Sequence, residues 1–358
     1  MIEENGLKKE IDVAFYPLDV IEYVPETADS ASFVFEIPEN LRATFNYKAG
    51  QFLNLQIPWK DFFIERCYSL SSSPITDDRM QVTIKRVADG RASNWFNDEV
   101  RKGSQVMVAA PSGRFVLKEQ HNNALIFFAG GSGITPILSL IHTALLTTDR
   151  PIQLIYANRD ADSIIFKQTL DGLAAEHSNQ LSCHHHLTSE DARLNEQKIE
   201  DLVGQRWDAD FYICGPSQFM DTVEAVLVDH KVDDDRTFIE RFISSTDSDR
   251  AEEQTPSEEE PGIGDVKLKI TADGKDFDVE YLSGKSLLES VLADKSIEAE
   301  IPFSCQEGHC GSCMSILKQG DVKMRANRAL SKRDLAKGYV LACQSLPTSN
   351  EVWIDFDI

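Results

Sequence analysis

The chain has 358 residues, with 42% hydrophobic and 27% charged positions, which suits a soluble protein with about two or three separate cores. A formal net charge of −23 excludes a nucleic-acid or anionic-membrane surface as the main partner. The opening MIEENGLKKE has neither an apolar core nor a small-residue cleavage site, and the most apolar run, ALIFFAG, is far too short to span a bilayer, so a cytoplasmic location is expected.

Residues 10–118 are short alternating segments: ASFVFEI, FLNLQI, CYSL, MQVTIKRV and SQVMVAA. Period-two alternation broken by Gly, Pro and Asn predicts an antiparallel sheet closed into a barrel or sandwich. At the end of one strand pattern stands RCYS, with Arg66, Tyr68 and Ser69. It combines a guanidinium that can fork onto a phosphate, a flat ring and a hydroxyl, although an ordinary edge strand would read the same way. KRVADGRASNWF follows, beginning with Lys85. Its Gly90, Arg91, Ala92 and Ser93 offer backbone amides and a hydroxyl at a predicted helix start, a natural anion site, with Ser93 expected to cap that helix.

From about residue 121 the texture changes. ALIFFAG, IQLIYAN, LSCHHHL and DFYICG are strand-like runs separated by helical patterns such as ITPILSLIHTALL and QFMDTVEAVLVDH. Alternating strand and helix predicts a doubly wound parallel sheet over 119–243. FFAGGSGITP holds Gly130, Gly131 and Gly133 directly after an apolar strand. The glycines are expected to allow the turn and the close approach of a pyrophosphate, with Thr135 capping the next helix and Pro136 at its first position. ICGPSQFM places Cys214, Gly215 and Pro216 at the end of the last core strand, the carboxyl edge where such sheets bind ligands; a buried small hydrophobe is the plain alternative for Cys214. YANRD lies where the ribose 2′ position is read, and Arg159 and Asp160, next to Asn158, leave NADH and NADPH both open. In CHHH, Cys183 to His186, neighbours point to opposite faces, so a strand with exposed histidines is expected rather than one metal site.

Residues 244–264, SSTDSDRAEEQTPSEEEPGIG, carry seven acidic residues against one arginine. That composition predicts a disordered, self-repelling linker. Beyond it, 265–358 reads as a small α+β domain: a hairpin turning at Asp273 and Gly274, then a helix SLLESVLADK, then CQEGHCGSC. Cys305, Cys310 and Cys313 stand as C-x4-C-x2-C with Cys343 following 30 residues later. A triplet with a distant singlet is the plant-type [2Fe–2S] pattern and fits poorly with zinc, whose structural sites come as two close pairs. Gly308 and Gly311 let the loop curl and its amides point inward.

IPFSCQEGHCGSC and GYVLACQSLP resemble a plant-type ferredoxin of β-grasp fold. RCYS, the G-x-x-G-x-x-P turn and ICGP resemble the ferredoxin–NADP reductase superfamily. With YANRDADSIIF and ERF, the whole chain is similar to the reductase components of multicomponent oxygenases, of the type that serves 3-ketosteroid 9α-hydroxylases and phenylacetyl-CoA epoxidases. The resemblance implies an FAD barrel, a domain for NADH or NADPH and a tethered ferredoxin. Arg66 would hold flavin phosphate, Tyr68 would lie on the isoalloxazine and Ser69 would donate towards its N5, with Cys214 near the nicotinamide. It implies a separate terminal oxygenase as protein partner, for which the basic stretch at Lys323, Arg325, Arg328, Lys332 and Arg333 is a docking candidate. A self-sufficient flavin or quinone reductase and an iron–sulfur redox sensor are the alternatives, and FMN in place of FAD is the cofactor alternative.

Overall fold

The computed structural model describes residues 13–60, 62–77, 79–242, 266–308, 310–327 and 329–358. The expected linker at 244–264 and Arg328 of the basic stretch lie outside the described residues. The chain divides into two compact units near Glu253, and among the described residues no helix is long and apolar enough to cross a membrane.

The first unit begins with strands β1 (Phe15–Thr27), β2 (Ser30–Phe35), β3 (Phe52–Trp59), β4 (Phe62–Ser69) and β5 (Met80–Lys85), followed by helix α1 (Arg91–Glu99) and strand β6 (Gln105–Ala109). They form one antiparallel sheet in the order β4-β3-β6-β1-β2-β5. The bridge Leu70–Val82 ties the two edges together, so the sheet closes on itself as expected. Phe33, Phe35, Leu53, Leu55 and Val82 fill its core, and Phe96 of α1 packs with them. Outward positions of β2 carry hydroxyls instead, and Ser32 and Thr83 pair at 2.7 Å.

The parallel sheet follows: β7 (Leu125–Gly130), α2 (Ile134–Thr147), β8 (Ile152–Asn158), α3 (Lys167–Glu176), β9 (Leu181–Leu187), α4 (Glu196–Val203), β10 (Asp210–Gly215), α5 (Ser217–Asp229) and β11 (Thr237–Arg241). Its order, β11-β10-β7-β8-β9, makes β7 and β10 neighbours across the point where the winding reverses. Both central strands are buried at every position, because alternate residues face two cores. Phe127 and Tyr212 meet α2 and α3 on one side; Phe128 and Phe211 meet α4 and α5 on the other. The histidines of β9 depart from expectation. His184 and His185 are half-buried and His186 is buried, donating its Nε2–H to the Ala192 carbonyl at 2.8 Å. The strand is an edge, yet α3 brings Asp171 to 3.6 Å from His185 and the segment after β9 covers His186.

The second unit is described by itself. Strands β12 (Lys267–Ala272), β13 (Lys275–Glu280), β14 (Met314–Gln319), β16 (Tyr339–Leu341) and β18 (Glu351–Asp355) form a mixed sheet ordered β13-β12-β18-β14-β16, beside the short pair β15 (Val322–Met324) and β17 (Ser345–Pro347). Asp273 and Gly274 make the expected hairpin turn, both with positive φ, and the Asp357 carboxylate accepts from both their amides. Helix α6 (Leu287–Ala293) starts at a reciprocal Ser286–Glu289 capping box, and α7 (Lys332–Ala336) at Ser331–Asp334. Leu287, Leu288 and Val291 bury the face of α6 against Leu268, Ile270, Leu341 and Ile354.

Candidate functional site

The RCYS segment is the end of β4, hydrogen-bonded along its length to β3. Arg66 donates to the carbonyl of Glu65 at 2.7 Å. Tyr68 packs edge-on against Phe96 at 5.7 Å, which anchors α1 beneath the strand. The hydroxyl of Ser69 is buried and makes no hydrogen bond. A buried, unpaired hydroxyl is costly in a folded chain, so its position fits a residue reserved for a ligand atom. Gly90 is the N-cap of α1, and the amides of Arg91, Ala92 and Ser93 head its first turn, where no intrahelical acceptor exists. Ser93 does not cap the helix: as the third helical residue, its hydroxyl accepts from the Val87 amide at 3.1 Å and pins the turn before the helix. The Arg91 guanidinium lies over the Trp59 ring, 5.4 Å from its centroid.

The glycine turn after β7 corrects the sequence reading in three respects. Helix α2 begins at Ile134 with Gly133 as N-cap. Thr135 sends its hydroxyl back to the Ser132 carbonyl, at 3.1 Å, instead of capping. Pro136 is the third helical residue rather than the first; it is tolerated there because that amide also lacks an intrahelical partner. Gly130 and Gly133 are needed for protein packing. A side chain on Gly133 would sit 2.1 Å from the Cys214 carbonyl, and one on Gly130 would meet Pro216 at 2.8 Å. Gly131, at φ +53° with nothing within 4 Å of its missing Cβ, is the glycine that faces open space.

Cys214 is the penultimate residue of β10. The thiol is fully buried in the core of the parallel sheet, and burial, followed by the nearby Glu240, pushes it well above the ordinary thiol range. The Cys214 carbonyl packs against Gly133 of the glycine turn. Asn158, the last residue of β8, is buried at the carboxyl end of that strand. Arg159 beside it is 74% exposed and lies 3.5 Å from Asp29 of the β1–β2 turn. Asp29 is also 3.6 Å from Lys85. Asp160 engages a carboxylate oxygen with the Ser163 amide, capping its own loop. Sequence reasoning missed Asp29, and no local signal marks it, because its partners come from two other strands.

The chain just past Ser69 is bolted to the parallel-sheet half. Ser139 of α2 donates to the Ser72 carbonyl, and the Ser73 and Thr143 hydroxyls meet at 2.8 Å. One helix therefore begins at the glycine turn and holds the segment that follows the RCYS strand.

In the second unit, Cys305, Cys313 and Cys343 are buried and Cys310 half-buried. Cys305 pairs with Cys310, and Cys313 with Cys343, with Cys310 electrostatically coupled to the second pair. The pairing, ahead of burial, holds the Cys310 thiol down to about 6 and lowers Cys343, while it raises Cys313. Backbone amides of Cys305 and Ser312 point at Cys310 Sγ, both at 3.5 Å, and that of Cys310 at Cys305 Sγ at 3.3 Å. Gln306, Gly308 and Gly311 take positive φ to turn the loop. Four soft donors ringed by inward amides fit an iron–sulfur cluster.

A closed antiparallel barrel joined to a parallel sheet with a glycine-lined crevice is the architecture of a flavin-dependent reductase that oxidises a pyridine nucleotide, here followed by a ferredoxin unit. The sequence matches the oxidoreductase FAD-binding domain over 17–117, the oxidoreductase NAD-binding domain over 127–225 and the 2Fe-2S iron-sulfur cluster binding domain over 270–348. The chain belongs to the family that includes the 3-ketosteroid-9-alpha-monooxygenase, ferredoxin reductase component, of Mycolicibacterium smegmatis, to which it is 39% identical over 95% of its length and 96% of that protein's. It is 30% identical to one of the subunits of the 1,2-phenylacetyl-CoA epoxidase of Escherichia coli, over 96% of this chain and 98% of that one. Among solved structures it is similar to phthalate dioxygenase reductase, described as a modular structure for electron transfer from pyridine nucleotides to [2Fe-2S]; the TM-score is 0.57 and the identity 25%, covering 95% and 98% of the two chains.

Proposed function

We propose that this chain is the NAD(P)H-oxidising reductase component of a multicomponent oxygenase, passing electrons through FAD and a [2Fe–2S] cluster to a separate oxygenase protein. The observation that carries this reading is the succession of FAD-binding, NAD-binding and 2Fe-2S domains in one chain. The proposed limits are 10–118 for the FAD domain, 119–243 for the NAD(P) domain, 244–264 for the linker and 265–358 for the ferredoxin. Bound FAD supplies the exchange between a two-electron hydride donor and one-electron acceptors.

The residues have distinct tasks in this reading. Arg66 and the α1 amides at Gly90, Arg91, Ala92 and Ser93 hold flavin phosphate, with Lys85 adding charge nearby. Tyr68 offers its ring to the isoalloxazine, and Ser69 holds a hydroxyl out of water for the nitrogen that receives hydride. Gly131 leaves room for the dinucleotide pyrophosphate, while Gly130, Gly133, Thr135, Pro136, Gly215 and Pro216 build the crevice wall. Asn158 and Arg159 meet the adenosine half, and the Cys214 backbone closes the nicotinamide end. Cys305, Cys310, Cys313 and Cys343 ligate the two irons. The oxygenase partner acts on a steroid, an aromatic compound or an acyl-CoA thioester, and the protein works in the cytoplasm. The exposed Lys323 and Arg325 are its proposed docking charges.

An anaerobic absorbance titration of the purified protein with NADH and with NADPH tests the proposal. Bleaching of both flavin and iron–sulfur bands is expected, and the more effective reductant identifies the nucleotide. A reconstituted protein whose bands do not respond to either nucleotide overturns it.

A further inference from the structure

Gln344, immediately after the distant ligand cysteine, reaches back across the cluster loop. Its amide donates to the carbonyl of Gln306 at 2.7 Å and lies 3.6 Å from Cys343 Sγ, again as donor. Gln306 is one of the loop residues held at positive φ, +53°, an unfavourable backbone for a residue with a side chain. The stem of Gln344 occupies the space beside Gly308: a Cβ on that glycine would come within 2.9 Å of Gln344 Cγ. The Gln344 carbonyl accepts from the Arg325 amide at 2.8 Å, which fixes the backbone from which the side chain projects. One side chain thus touches both ends of the ligand set: the loop between Cys305 and Cys310, and the sulfur of Cys343.

We propose that Gln344 is a positioning residue for the iron–sulfur centre, which locks the Gln306–Gly308 turn and, through its hydrogen bond to Cys343 Sγ, raises the cluster's reduction potential. This rests on the reading of the four cysteines as cluster ligands. A donor to a ligand sulfur stabilises the extra negative charge of the reduced state, so its loss disfavours reduction. The donor is neutral and partly buried, where such a bond counts for more than it does in water.

The test is a redox titration of the full-length protein and of Gln344→Met, which keeps the length of the side chain and removes the donor, with iron content and the electron-paramagnetic signal of the reduced cluster recorded in parallel. Iron in the parent protein decides the cysteine assignment separately from the role of Gln344. Gln344→Met is expected to load iron and to lower the equilibrium constant for reduction by up to about tenfold, equivalent to 59 mV for one electron. Gln344→Glu, which adds a negative charge as well, should fall further. A Gln344→Met cluster with unaltered potential and spectrum overturns the proposal. If Gln344→Met fails to load, Gln344→Lys, which keeps a donor of similar reach, must restore loading; failure of both assigns Gln344 a packing role and also overturns it.

Discussion

The Arg159 guanidinium lies 3.5 Å from the Asp29 carboxylate, joining the end of the second strand of the parallel sheet to a turn of the barrel. Arg159 and Asp160 of YANRD are both exposed; Asp160 accepts from the Ser163 amide and caps its own loop, and Arg159 faces Asp29. If this loop reads the ribose 2′ group as proposed, Asp29 partly neutralises the cation it offers to a 2′-phosphate.

That arrangement predicts a shift in nucleotide preference. Arg159→Ala should lower kcat/KM for NADPH more than for NADH, and Asp29→Asn should raise the NADPH to NADH ratio. Exposed ion pairs are worth a fraction of a kcal/mol to about 1 kcal/mol, so each ratio should move roughly two- to fivefold. Steady-state kinetics with both nucleotides checks this, and an unchanged ratio in both variants removes Arg159 from the 2′ site.

The unpaired hydroxyl of Ser69 should have opposite effects on stability and on rate. Replacing it by alanine in Ser69→Ala relieves a buried, unsatisfied group and should stabilise the flavin-free protein by about 1 kcal/mol. If Ser69 donates to the flavin as proposed, the same change should slow flavin reduction by about tenfold. Thermal unfolding of the apoprotein and anaerobic stopped-flow of the flavin-loaded form measure the two effects separately.

The glycine turn separates packing from access. In Gly133→Ala the new methyl meets the Cys214 carbonyl, since the Cβ position is 2.1 Å away, and the two crevice strands must part at a cost of about 1–3 kcal/mol or more. Gly131→Ala meets nothing but must hold φ at +53°, costing about 1 kcal/mol. Denaturant melts should rank them in that order, and a Gly133→Ala protein as stable as the parent would contradict the packing described.

Thiol reactivity should follow burial. Desolvation pushes Cys183 up to about 11 and Cys214 well above the ordinary thiol range. A thiol with a raised value is protonated below it, so at pH 8 both should resist alkylation, and Cys183 should gain reactivity only as the pH approaches 11. Mass spectrometry after a short iodoacetamide pulse on the native, cluster-loaded protein reads this directly. Labelling of Cys214 at pH 8 would place its thiol at an open crevice instead of in the core.

The sequence by itself determined the succession of elements and the chemistry of the donors. Strand and helix periodicity reflects which faces are buried, and the strands and helices of each sheet follow one another along the chain, so the barrel, the parallel sheet and the ferredoxin unit could be read in order. The cysteine spacing is equally local, because three of the four sulfurs belong to one loop. Other features depend on partners distant in sequence. The roles of Ser93, Thr135 and Pro136 turned on where α1 and α2 begin: Ser93 pins the Val87 amide before α1, and Gly133 packs against Cys214 at the start of α2. His186 became buried because a segment beyond β9 folds over it. Asp29 gained meaning only when two other strands delivered Lys85 and Arg159 to its carboxylate. Gln344 stood beside a ligand in the sequence, but only the folded loop brought the Gln306 carbonyl to its amide. Periodicity and ligand spacing are properties of adjacent residues; a hydrogen bond or an ion pair between remote residues exists only once the chain has paid the entropy of bringing them together.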